Sequence, residues 1–174
     1  MLELYVMRHA KSSWDNSDLN DHDRPLSNRG KRNAKTICEF FVKKKINFDL
    51  ILVSSSKRTK KTLKILLSKI DKPKKIITSK KLYLANENDI LKKIVTIDKQ
   101  FKKILLINHE PAVRNLSLLL SKNKNNHNYK LMNYKFPTAA YAKIVFNLKD
   151  WSLVNSNGNL TEFIRPKDLQ DSKE

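Results

Sequence analysis

Leu2-Glu3-Leu4-Tyr5-Val6-Met7-Arg8-His9-Ala10-Lys11-Ser12-Ser13-Trp14 opens the chain. Its first half is an apolar, β-prone run that stops abruptly on an arginine and a histidine. Such a run reads as a buried strand whose C-terminal end carries two polar side chains. In open α/β sheets, ligands bind outside that edge. An isolated Arg-His pair would ordinarily be a solvated strand end, but here the arrangement recurs twice. Phe48-Asp49-Leu50-Ile51-Leu52-Val53 is a second buried strand, running into Ser54-Ser55-Ser56-Lys57-Arg58. Lys103-Ile104-Leu105-Leu106-Ile107 is a third, ending on Asn108-His109.

The segments between these strands read as helices and turns. Residues 11–20 and 21–30 are polar loops, and Ser27 is a candidate N-cap for a helix to about Lys45, marked by Ala34, Ile37 and Phe41. Thr62, Leu63, Ile65, Leu66 and Ile70 mark another helix, broken by Pro73. Residues 75–78 form a short strand, Leu82-Tyr83-Leu84-Ala85 packs on apolar neighbours, and 89–97 is helical. Pro111 opens a helix carrying Val113, Leu116 and Leu120. Residues 122–128 are a surface loop. Residues 139–147 and 151–154 are expected to be two late strands, turned at 148–150 and paired antiparallel at the sheet edge. Strands alternating with helices make an α/β fold with a mostly parallel sheet the economical solution.

The chain has 174 residues, long enough for one domain over 1–174, with 168–174 expected to fray. There are 36 Lys and Arg against 17 Asp and Glu, a net charge of +19. Only seven of the 36 are arginines. The lysines are scattered, without the interleaved aromatics of a nucleic-acid stacking platform, so no specific nucleic-acid or membrane partner is expected. Attraction of acidic or phosphorylated proteins remains open. Cys38, the single cysteine, reads as a small core residue on a helix and fits a reducing compartment. No secretory signal pattern and no run of the roughly 20 apolar residues that a membrane span needs is present, so a cytoplasmic monomer is expected.

If the three strands are parallel neighbours, Arg8, His9, Arg58 and His109 converge on one crevice beside helix N-termini that favour an anion. Guanidinium forks match phosphate oxygens, which makes a phosphoryl group the natural occupant. The chain has only two glycines, Gly30 and Gly158, and no Walker-type loop, which excludes a P-loop nucleotide site. No carboxylate adjoins His9, no HExxH-like spacing occurs, and two arginines would repel a divalent cation; neither metal nor cofactor is expected. His22 and His127 read as solvated loop histidines, and Trp14 and Tyr83 as packing residues near the pocket. Arg24 and Arg29 read as loop residues pairing with Asp21 or Asp23.

Arg8-His9-Ala10-Lys11-Ser12-Ser13-Trp14, Asp23-Arg24-Pro25-Leu26-Ser27-Asn28-Arg29-Gly30, Ser54-Ser55-Ser56-Lys57-Arg58 and Asn108-His109-Glu110-Pro111 resemble, in order, the motifs of the histidine phosphatase superfamily (branch 1). Within it the chain resembles the small SixA-type phosphohistidine phosphatases. Pro137-Thr138-Ala139-Ala140 and Phe163-Ile164-Arg165-Pro166 extend the likeness toward the C-terminus. The resemblance implies a phosphoglycerate-mutase-like three-layer α/β/α sandwich. It also implies a metal-independent covalent mechanism, with His9 as nucleophile and Arg8, Arg58 and His109 as the residues binding the phosphoryl oxygens.

Two departures from the wider superfamily are informative. Ala10 and Asp15 stand where many members have glycine and asparagine, a form typical of the SixA-like branch. The carboxylic acid that monoesterases use to protonate the leaving group has only Glu87 and Asp89 as candidates, and both equally suit the first turn of a helix. A weak or absent acid points toward phosphohistidine, whose imidazole leaves readily. The implied partner is a phosphorylated protein such as a histidine-phosphotransfer domain, or else a small phosphorylated molecule. Lys11 and Ser12 either touch phosphate or shape the loop. The alternatives are a small-molecule phosphomonoesterase or phosphoglycerate-mutase-like enzyme, and a non-catalytic basic binding protein.

Overall fold

Strand β1 (Leu2–Arg8) lies inside a six-stranded sheet, and five of its seven residues are buried because helices cover both faces. The structure, a computed structural model describing residues 1–170, orders the strands β3-β2-β4-β1-β5-β6. The others are β2 (Leu50–Ser54), β3 (Lys75–Ser79), β4 (Lys103–Asn108), β5 (Tyr141–Phe146) and β6 (Asn159–Ile164). The first four run parallel; β5 pairs antiparallel with β1, and β6 antiparallel with β5. This is the mostly parallel sheet with an antiparallel edge that the sequence predicts.

Helices α1 (Asn28–Lys43) and α2 (Lys57–Leu66) pack on one face, burying Ile37, Phe41, Leu63 and Leu66 against Met7, Ile51 and Ile107. On the other face α3 (Glu87–Ile94), α4 (Ala112–Leu120) and α5 (His127–Tyr134) bury Ile90, Leu116 and Met132 against Leu4, Leu52 and Leu106. Burying each such side chain is worth roughly 1.5–3 kcal/mol, against about 0–1 kcal/mol for an exposed pair such as Lys69–Glu39. Packing on the sheet therefore holds the fold, and the lysine-rich surface contributes little.

Several details differ from the sequence expectation. Residues 151–153 form a 3₁₀ turn whose Trp151 is buried, and the antiparallel partner of β5 is β6. That polar strand, Asn-Leu-Thr-Glu-Phe-Ile, alternates across an edge and has no continuous apolar run. The expected loop at 122–128 gives way at His127 to α5, capped by the Asn126 side chain, so His127 begins a helix. Asp168 accepts hydrogen bonds from the backbone and guanidinium of Arg165 within a short helix, α6 (Pro166–Gln170). Residues 168–170 are thus structured, and 171–174 lie outside the described residues. Cys38 is buried on α1 as expected, and no helix among the described residues is long and apolar enough to cross a membrane.

Candidate active site

Parallel register brings the two histidines together. Arg8 pairs with Asn108, so His9 and His109 each sit one residue beyond the end of adjacent strands, and the His9 amide donates to the Asn108 carbonyl. The chain leaving β1 passes to α1 on one face, and that leaving β4 to α4 on the other, opening a crevice between them. Arg58 arrives by a different route. Ser56 caps α2, accepting from the Thr59 amide, and Arg58 lies in the first turn with its side chain over the strand ends.

These four residues line a single cleft of about 460 Å³, together with Lys11, Ser12, Trp14, Arg24, Arg29, Glu110, Lys135 and residues 137–138. His9, Arg58 and His109 are 7%, 6% and 8% exposed, open to the cleft and otherwise enclosed. The two imidazole centroids are 5.1 Å apart.

Hydrogen bonding fixes both tautomers. The Ala10 carbonyl can only accept, so His9 Nδ1, 2.7 Å away, carries its proton and donates. Nε2 is left with a lone pair, toward which Arg58 Nε donates at 3.3 Å. At His109, Nδ1 accepts from Arg58 Nη2 (3.3 Å), so Nε2 is protonated and donates to Ser54 Oγ (2.8 Å). Burial lowers the His9 pKa to about 4, aided by Arg58, Arg8 and Arg24. Burial likewise lowers His109 to about 3, with His9 and Arg58 adding to the effect. Both rings are neutral at physiological pH.

The surrounding loops are anchored by specific contacts. Ala10 N–H donates to Thr62 Oγ1 (3.0 Å) on α2. A Cβ on Gly30 would stand 2.1 Å from the Lys11 carbonyl oxygen, so the tight approach of α1 to the 11–13 loop requires glycine. Arg58 donates to the Asp21 carbonyl (2.7 Å) and carboxylate (3.0 Å), and Tyr83 donates to the same carboxylate. The Tyr83 hydroxyl, with Arg58 and Arg24, holds the Asp21 acid below its usual range.

Arg8 donates to the Phe136 carbonyl (2.9 Å), but its buried Nε has no acceptor among the described residues, and neither has Arg24 Nη1. Buried donors without acceptors inside a cationic cleft suit an oxyanion. Among the described residues no three His, Cys, Asp or Glu side chains gather closely enough to hold a metal ion.

Several sequence expectations are corrected. Glu87 lines a separate hollow between α3 and α4, where Asn115 donates to it at 3.4 Å, and neither Glu87 nor Asp89 lines the cleft. The one carboxyl that does is Glu110, half-buried and with its pKa raised by burial. Its position directly after His109 at a strand end was the available signal.

His22 is half-buried and bonded to Ser55 Oγ (2.9 Å), not solvated in a loop. Trp14 is 73% exposed, its ring lying 3.4 Å beneath the Arg24 guanidinium. Arg24 does pair with Asp21 (3.4 Å), donates to Ser12 Oγ (2.8 Å) and also lines the cleft. Arg29 forms no ion pair with Asp21 or Asp23, because its α1 position points it along the cleft rim.

Comparison with known proteins places this architecture. A sequence model of the histidine phosphatase superfamily (branch 1) matches residues 4–83. An uncharacterized protein of Mycobacterium leprae is 31% identical over 140 residues, covering 78% of this chain and 84% of its own. An uncharacterized chloroplastic protein of Arabidopsis thaliana is 41% identical over 68 residues, 39% of this chain; the match spans about a third (31%) of that relative. Among solved structures, the protein histidine phosphatase SixA complexed with tungstate superposes with a TM-score of 0.80 at 20% identity, covering 97% of this chain and 99% of that one.

Proposed function

Because the chain belongs to the histidine phosphatase superfamily (branch 1), we propose that it hydrolyses phosphohistidine on proteins by passing the phosphoryl group through His9. The observation that carries this reading is the unprotonated His9 Nε2, fixed by the Nδ1–H bond to Ala10, accepting from Arg58 Nε and facing the cationic cleft. Nε2 attacks phosphorus as the P–N bond of the substrate breaks, and the departing imidazole keeps that bond's electron pair and takes a proton from solvent. Water then attacks the phosphoenzyme, releasing inorganic phosphate and restoring Nε2.

Arg8, Arg58 and His109 would bind the non-bridging oxygens and stabilise their charge in the transition state. A phosphoryl dianion beside His109 favours its imidazolium, which would donate from Nδ1 once Arg58 turns to the ligand. No metal enters this scheme. Activity on a phosphohistidine protein should persist in EDTA and vanish in His9→Ala. Normal turnover by that variant would refute the assignment.

Glu110 favours a second reading, a small-molecule phosphomonoesterase. An alkoxide leaving group needs a proton donor, and the raised pKa of this cleft carboxyl suits that task. Running phosphohistidine protein, sugar phosphates and an aryl phosphate in parallel separates the two. Faster turnover of sugar phosphates, with a large loss in Glu110→Gln, would select the second.

A further inference from the structure

A second groove, of about 530 Å³, adjoins the cleft and shares with it Arg29, Lys135 and residues 137–138. Its cations are Arg29 and Arg32 on the first turns of α1, Lys135 after α5, and Arg165 and Lys167 at the start of α6. Among the described residues, none that lines it is acidic. Arg165 is paired with Asp168, but Arg29, Arg32 and Lys135 make no ion pair among the described residues. The exposed ring of Tyr134 completes the wall.

Lysine-rich composition does not account for this groove. Of the seven arginines, Arg8, Arg24, Arg29 and Arg58 line the cleft, and Arg29, Arg32 and Arg165 line the groove; only Arg114 lines neither. The 29 lysines (36 less seven) are scattered. A comparable hollow over α2, lined by Lys57, Lys60, Lys61 and Lys64, contains Asp23, has no arginine and shares no residue with the cleft. Planar, bidentate donors are thus concentrated where the substrate must lie, and such forks match carboxylates.

We infer that the groove binds a carboxylate-rich stretch of the protein that carries the phosphoryl group, Asp and Glu side chains flanking the phosphohistidine. This inference rests on the phosphohistidine reading above. The lining residues shared with the cleft support it, since an occupant of the groove would lie beside the group undergoing reaction.

Two phosphohistidine peptides test it, one flanked by Asp and Glu and the other by Asn and Gln. Wild type should favour the acidic peptide in kcat/KM by about tenfold, the scale of two partly exposed charge contacts. Arg32→Gln/Lys167→Gln, whose positions lie outside the cleft, should reduce the preference below about threefold and leave turnover of a small aryl phosphate within about twofold. Lys60→Gln/Lys64→Gln removes equal charge from the α2 hollow and should keep the preference.

Equal use of both peptides by wild type, or equal loss in both double variants, would overturn the groove. If neither phosphopeptide is hydrolysed although aryl phosphate is, the phosphohistidine reading fails separately. Fluorescence anisotropy of the labelled, unphosphorylated acidic peptide then decides the groove. Weaker binding to Arg32→Gln/Lys167→Gln alone supports it, and unchanged binding refutes it.

Discussion

Lowering the pH should leave the His9 ring neutral far below the point at which an ordinary histidine gains its proton. The ring is enclosed, Arg58 donates to its Nε2, and Arg8 and Arg24 add positive charge, which together bring the pKa from 6.5 to about 4. At pH 5 a ring with that value is ~90% free base, against ~3% for an unperturbed imidazole, so the form that the proposed mechanism needs is about 30-fold more abundant. His109, brought down to about 3, titrates with it as a coupled pair.

The direct assay follows the ring resonances of the two histidines by NMR in the free protein between pH 8 and 4, with His9→Asn and His109→Asn for assignment. A kinetic assay measures phosphoenzyme formation over the same range, corrected for ionisation of the substrate phosphoryl group near pH ~6. Burial is the first cause of the shift, so Arg58→Gln should raise the His9 midpoint only part of the way to 6.5. A wild-type midpoint near 6.5 would show that the ring is hydrated and would remove the reason for treating it as a ready nucleophile.

The same shifts set the acid stability. The unfolded chain protonates both rings below about pH 6.5 while the native state does not, so stability falls as pH falls from about 6.5 toward 4. The slope approaches ~2.7 kcal/mol per pH unit, twice the ~1.36 of a single group. Urea unfolding at pH 7, 6 and 5 measures it, and His9→Asn/His109→Asn should flatten it. Thr62→Val removes the acceptor of the buried Ala10 amide and should cost about 1–3 kcal/mol in urea unfolding, with slower turnover as the His9 loop loosens. Gly30→Ala forces a methyl onto the Lys11 carbonyl and should cost roughly 1–3 kcal/mol in thermal unfolding; an unchanged midpoint would mean that the 11–13 loop yields freely.

Sequence alone determined the central strands, because strands buried on both faces are continuous apolar runs, and it placed Arg8, His9, Arg58 and His109 at or just beyond their ends; that they meet followed only once β2, β4 and β1 were parallel neighbours. Ser27 was legible as a helix-start position for a local reason: its side-chain oxygen satisfies an orphan amide three residues on. The edge strand β6 and helix α5 were not, since neither carries an apolar run and each is held by neighbours remote in the chain, as when Asn123 and Asn126 donate to the Leu160 carbonyl. Only the tertiary structure decided that Glu110, and not Glu87, lines the cleft, that Asp21 grips Arg58 across 37 residues, and that α1, α5 and α6 enclose an arginine groove. Desolvation and charge proximity depend on distances through space, and the order of residues along the chain does not encode those distances locally.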